Sequence, residues 1–243
     1  MATVAAVPTP SSYVASQSFF VKLAWVLSAI IVIGFAQNAA LGRVDIPAVP
    51  VWVHLHGLAM LAWLGLFITQ NRLAASGNLA LHRKLGWAGA FLVCVIVSLA
   101  CFTGVMSLAL HRSPPFFAAP FFLALTLVDT LAFGGLVLAG VTNRRDTETH
   151  RRLIAGGAIV ILEPAFGRLL PAPLLGGELT EWLIMVIQLG VVAVIAAHDR
   201  RTLGRIHPAT MSVAVVVALA HVLVTLASRS APVIALANRI TGG

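Results

Sequence analysis

Apolar residues in this chain run in long blocks, broken by short polar punctuation. Neither strict alternation nor a one-sided helical stripe recurs. Seven blocks reach or approach the roughly 20 residues that a helix needs to cross a bilayer: 18–38, 51–71, 85–110, 117–141, 153–170, 179–198 and 209–228. The pattern predicts an all-α polytopic membrane bundle of seven transmembrane helices. Residues 1–17 are rich in Ala, Pro, Ser and Thr with no basic stretch ahead of a short apolar core, so they read as a flexible N-terminal tail rather than a cleaved leader. Residues 18–228 form the membrane domain, and 229–243 read as a weakly apolar C-terminal tail that lies at the interface or frays.

Composition agrees with this reading. Of 243 residues 59% are hydrophobic and 10% charged, against about 25% charged in an ordinary soluble domain. A water-soluble fold, a disordered chain and a disulfide scaffold are all excluded. The net charge of +8 would suggest nucleic acid in a soluble protein, but here it reports topology. Eleven of the sixteen cations fall on one side, at Lys22 and in the loops carrying Arg72, Arg83, Lys84, then Arg144, Arg145, Arg151, Arg152, then Arg200, Arg201, Arg205. The positive-inside rule places that side in the cytoplasm, which puts the N-terminus inside and the C-terminus outside. In a Gram-negative cell this is the inner membrane, with the C-terminus periplasmic. The expected partners are the lipid bilayer and other membrane subunits, and no nucleic acid. Cys94 and Cys101 are two turns apart on one helix, about 10 Å along its axis and too far for a disulfide.

A repeat is visible. His82-Arg83-Lys84-Leu85 is followed at a fixed offset by Gly89-Ala90, and His150-Arg151-Arg152-Leu153 by Gly157-Ala158; Gly204-Arg205-Ile206-His207 is a weaker third copy. Three related hairpins plus one N-terminal span account for this. His82, His150 and His207 then mark the aqueous ends of helices, where they meet phosphates or hairpin carbonyls.

Ionisable groups at membrane depth cost several kcal/mol, about 2.5–3.5 on insertion scales, and default to functional candidates. Counting along the spans gathers most of them in the half away from the basic loops: Asp129, Glu163, Arg168, Gln188, His221, and His54 with His56. Four readings follow. His56 and His221 could hold haem b, with a second, weaker haem served by His82, His150 and His207. His54, His56 and Glu163 could hold a divalent metal, although His54 and His56 point about 200° apart on a helix. Asp129, Glu163, Arg168 and His221 could relay protons or bind a solute. Structurally, Arg168 could simply pair with Glu163 or Asp129, while Gln188 satisfies a carbonyl freed by Pro164. In the arrangement this spacing favours, Asp129 pairs with Arg168 and Glu163 orients an imidazole of His56 or His221. Trp52, Trp63, Trp87 and Trp182 read as an interfacial belt. Phosphate-cradling glycine loops, nucleophile elbows and zinc-protease motifs are missing, which argues against a hydrolase or a nucleotide-driven pump.

The run His56-Gly57-Leu58-Ala59-Met60 with Gln70 and His82-Arg83 resembles the second-helix region of cytochrome b561-type proteins. That likeness covers about 30 residues and implies haem ligation in a helical bundle, but Asp129 stands in span four where that family's pattern asks for histidine. Over nearly the whole chain, the two His-Arg runs together with Glu163-Pro164-Ala165-Phe166-Gly167-Arg168 and Gly204 to Pro208 look like an uncharacterised bacterial family of seven-span membrane proteins. This second resemblance implies the architecture and no particular activity. The function expected is therefore that of a transporter-like protein or accessory membrane subunit with a polar outer-half pocket, the alternative being a haem b redox protein using His56 and His221.

Overall fold

The computed structural model describes residues 10–170 and 175–242. Nine α-helices follow one another among them: α1 (Pro10–Ala40), α2 (Val51–Ala75), α3 (Leu79–Ala109), α4 (Ala119–Thr142), α5 (Thr147–Val160), α6 (Leu162–Leu169), α7 (Gly177–Leu203), α8 (Pro208–Ser228) and α9 (Ala231–Thr241). No strand occurs among the described residues. Six helices are long and apolar enough to cross a membrane: Ser16–Ala40 within α1, then α2, α3, α4, Leu179–Leu203 within α7, and α8.

The expected fifth span is the exception. It is two helices, of 14 and 8 residues, joined at Ile161. Pro164 is the physical cause, because it has no N–H for the carbonyl of Val160 and its ring crowds that carbonyl. A break of this kind leaves polar backbone exposed and is tolerated at membrane depth only inside protein. Accordingly α5 and α6 are the innermost elements. From Arg151 to Glu163 every residue but Ile154 is buried. Gly156 faces Val213 of α8 and Gly157 faces Val137 and Phe133 of α4, each so closely that a Cβ would sit 2.5 Å from a valine methyl. Around them the core is built from Phe20 and Leu27, Trp63 and Phe67, Ile96, Phe133 and Val217, while Trp25, Leu55, Phe91, Leu131, Val186 and Leu219 point outward.

Both tails depart from expectation. Helix α1 already begins at Pro10, and Ser16 and Gln17 are buried, so only 1–9 of the expected tail lie outside the described residues. At the other end α9 packs on α3 and α4 with Ala237 fully enclosed, because its apolar side finds a groove; Gly243 lies outside the described residues. Trp63 is another correction. It is a core residue, stacked on Phe67 at 5.3 Å and edge-on to Phe133, not part of an interfacial belt.

At the basic-loop end, α5, α7 and α8 are braced by charge. Arg152 and Asp199 are both fully buried, with the Arg152 Nε–H donating to Asp199 at 3.0 Å and a second guanidinium nitrogen on the same oxygen. The other Asp199 oxygen accepts from the His207 backbone N–H (3.0 Å) and the Thr210 hydroxyl (2.5 Å). Arg152 is thus a structural residue rather than a solvated loop cation. Asp146 caps α5, accepting from the N–H groups of Glu148 and Thr149.

Candidate functional site

Away from the basic loops, the break in α5–α6 sets the geometry. Gln188 of α7, 2% exposed, donates its amide N–H groups to the carbonyls of Ile159 (3.1 Å) and Val160 (3.0 Å). Two carbonyls at the break are thereby satisfied from the neighbouring helix, as the Pro164 spacing predicts. The amide oxygen of Gln188 is then an acceptor, and His221 of α8 meets it with Nε2 at 2.7 Å. The other ring nitrogen, Nδ1, faces Oε1 of Glu181 at 2.6 Å. Glu181 and Gln188 lie seven residues apart on α7, two turns and so one face, and the imidazole spans the gap between them. The result is one buried chain: Glu181, His221, Gln188, helix break.

Sequence reasoning passed over Glu181. Its signal was the i, i+7 relation to Gln188, which puts an acid on the face already assigned to an intramembrane amide. The imidazole partner is therefore Glu181, where Glu163 was expected, and His221 has no ring nitrogen left for a ligand unless it releases one of these bonds.

Glu163 is buried one residue before Pro164. It lies within Coulombic reach of Glu181 and of Arg168, and Asp129 within reach of both Glu163 and Glu181. Asp129 sits on α4 with Oδ2 enclosed and unpartnered. The expected Asp129–Arg168 pair is not made. Arg168 instead turns back along its own helix, donating to the carbonyl of Pro164 at 2.6 Å, and lies over the ring of Phe35 at 4.2 Å. An i, i+4 carbonyl and an aromatic face are within reach of a side chain near the helix end, and they occupy the guanidinium locally.

His56 is half-buried with Nδ1 enclosed and unpartnered, and His54 is exposed. Both ring nitrogens of His221 are taken by Glu181 and Gln188, and the enclosed Nδ1 of His56 meets neither His221 nor Glu163. The expected convergence of Glu163, His56 and His221 is therefore not formed. Nor is the metal set of His54, His56 and Glu163: no three His, Cys, Asp or Glu side chains gather as a metal would need among the described residues. Neither family models nor curated proteins nor solved structures match this chain.

The repeated histidines behave alike at the opposite end. Nδ1 of His82 faces the carbonyl of Gln70 at 3.2 Å and that of His150 the carbonyl of Gly140 at 2.8 Å, each on the preceding helix. Their rings lie 6.1 Å apart, nearly perpendicular. His207 differs. Its Nδ1 accepts from the N–H of Ala209 and caps α8, and burial holds its pKa below the usual histidine value.

Proposed function

We propose that this is a multi-pass membrane protein of seven crossings, with α5–α6 as the broken fifth, that works as a proton-linked transporter-like unit. Its basic-loop end faces the cytoplasm. The single observation that carries the reading is the Glu181–His221–Gln188 chain tied to the helix break. Gln188 uses its N–H groups on carbonyls, so its oxygen fixes a proton on Nε2 of His221. A proton must then also lie between Nδ1 and Glu181, since two lone pairs would repel at 2.6 Å. Losing that proton separates Glu181 from His221 and loosens the hold of Gln188 on the break. Discontinuous helices and buried ionisable groups recur together at transport sites, and Glu163 and Asp129 stand ready as the next proton holders.

The test is proton flux into proteoliposomes loaded with a pH-sensitive dye, under an imposed membrane potential. Wild type should acidify the lumen faster than protein-free vesicles, and Glu181→Gln and His221→Asn should reduce flux at least about tenfold, a lower bound on the about 10²–10⁴-fold that a positioned proton-transfer group contributes. Both variants should elute like wild type and keep its helical circular dichroism, with a melting temperature lowered by the hydrogen bonds they lose. Flux no greater than that of empty vesicles, or an unchanged Glu181→Gln, refutes the reading. A purified protein with a Soret band that His221→Ala abolishes would establish the haem b alternative in its place.

A further inference from the structure

A cavity of about 500 Å³ opens at the basic-loop end, remote from the chain just described. Its charged and imidazole lining is Arg83, Arg144, Arg145, Arg151, His82 and His150, and among the described residues no carboxylate side chain lines it. Basic loops alone would follow from membrane topology. Two further observations do not. Arg151 is 8% exposed, and while one of its nitrogens pairs with Glu148 and Phe20 lies under its guanidinium, Nε and Nη1 have no partner. Gln70, also in the lining, donates to the carbonyl of His82 at 3.0 Å but leaves Oε1 enclosed and unpartnered. Buried polar groups are as a rule satisfied, yet two residues of this lining hold, just behind the wall, donors without an acceptor and an acceptor without a donor.

The histidines narrow the chemistry. A carbonyl can only accept, so Nδ1 of His82 and of His150 carries the proton and each Nε2 is left for whatever enters. The occupant must offer negative oxygens to guanidinium groups and an O–H to an amide oxygen. Beside these polar groups, exposed Trp87 carries Arg144 over its ring at 5.1 Å, an arrangement typical of the lipid headgroup level. Guanidinium groups match phosphate geometry closely.

We propose that this cavity binds a phosphate ester bearing a free hydroxyl, with the phosphate on Arg151 and the hydroxyl on Gln70. A phosphatidylglycerol-type headgroup and a soluble glycerol phosphate share this chemistry. The experiment uses the full-length protein in phosphatidylcholine nanodiscs. Phosphatidylglycerol is titrated into the lipid and retention is read by native mass spectrometry. In a parallel arm glycerol phosphate is added from the aqueous side and binding is read by thermal shift. Phosphatidylglycerol should be retained over phosphatidylcholine by about tenfold, the worth of one charge-assisted pair, or glycerol phosphate should raise the melting temperature. The responding arm identifies the source. Arg151→Gln and Gln70→Leu should each abolish the preference. Because Arg151 also pairs with Glu148, the double variant Arg83→Gln/Arg145→Gln, at exposed positions, serves as a check free of folding effects and should weaken binding as well. Equal retention of both lipids with no thermal shift overturns the proposal, as does a preference that survives any of the three variants unchanged.

Discussion

Gln188 and Pro164 should be energetically coupled although they lie on different helices. Gln188→Leu removes two N–H donors from the carbonyls of Ile159 and Val160 and one acceptor from the Nε2–H of His221. Each hydrogen bond contributes about 1 kcal/mol net, and each stranded buried group costs about 1–3 kcal/mol. With partial relaxation, the expected loss is about 3 kcal/mol. Pro164→Ala supplies the N–H that Pro164 lacks, aimed in helical geometry at the carbonyl of Val160. In that background Gln188→Leu strands one acceptor fewer, so it should cost about 1 kcal/mol less. The assay is a double-mutant cycle of reversible unfolding in bicelles, followed by circular dichroism. Independent sites add to within about 0.3–0.5 kcal/mol. Additivity at that level would refute the claim that Gln188 stands in for the missing proline N–H. The sign matters too, because a larger loss in the Pro164→Ala background would mean that the alanine N–H does not reach Val160.

Two further outcomes follow from packing and capping. Gly104→Ala would drive a Cβ into the Thr126 methyl, an overpacking expected to cost about 1–3 kcal/mol; adding Thr126→Ser, which deletes that methyl, should recover most of the lost melting temperature. Asp146→Ala removes the α5 cap and should cost about 1 kcal/mol. The hydrogen bond from the Thr149 hydroxyl, more than any other contact, holds the Asp146 carboxyl below its usual pKa. Its contribution is therefore present above the unfolded carboxylate value of about 3.9 and lost as pH falls through the lower folded value. The gap between wild type and Asp146→Ala should close in acid thermal melts, and a gap that widens there would contradict the cap.

The sequence made some of the site legible because certain interactions are fixed by covalent structure. A proline at membrane depth must leave a carbonyl without its helical donor, so the Gln188 contact could be anticipated from Pro164 and one nearby amide. The histidine-to-carbonyl bonds at His82 and His150 were legible for a similar reason, since the same residues open two equivalent helices. Partner choice across helices was not. Arg168 was expected on Asp129, yet a carbonyl four residues back and an aromatic ring are local solutions that ask nothing of the fold. Arg152 counted as a loop cation because charge tallies ignore depth. Its burial depends on Asp199, 47 residues away, and on α8 closing over both. Glu181 was hidden by position, four residues into α7, where an acid ordinarily meets water; only its face, shared with Gln188, marks it.

The same three helices are joined differently at their two ends, and this bears on how a proton could do work. At the basic-loop end, α5, α7 and α8 meet through Arg152, Asp199, Thr210 and the His207 backbone. Removing one partner of such a buried pair costs about 3–5 kcal/mol, so that end is firmly held. At the break, the polar link from α7 and α8 is the amide of Gln188 on the last two carbonyls of α5, and Gln188 is itself positioned by the His221–Glu181 contact. On the proposed reading, a change of one proton leaves the basic-loop end of α5 anchored and releases restraint on its last turn, next to the break. Motion would then concentrate at Ile161, where the helical hydrogen-bond ladder is already interrupted and little further bonding is lost. A continuous fifth helix would have to bend against an intact ladder, so the proline is what lets a local protonation event have a mechanical consequence.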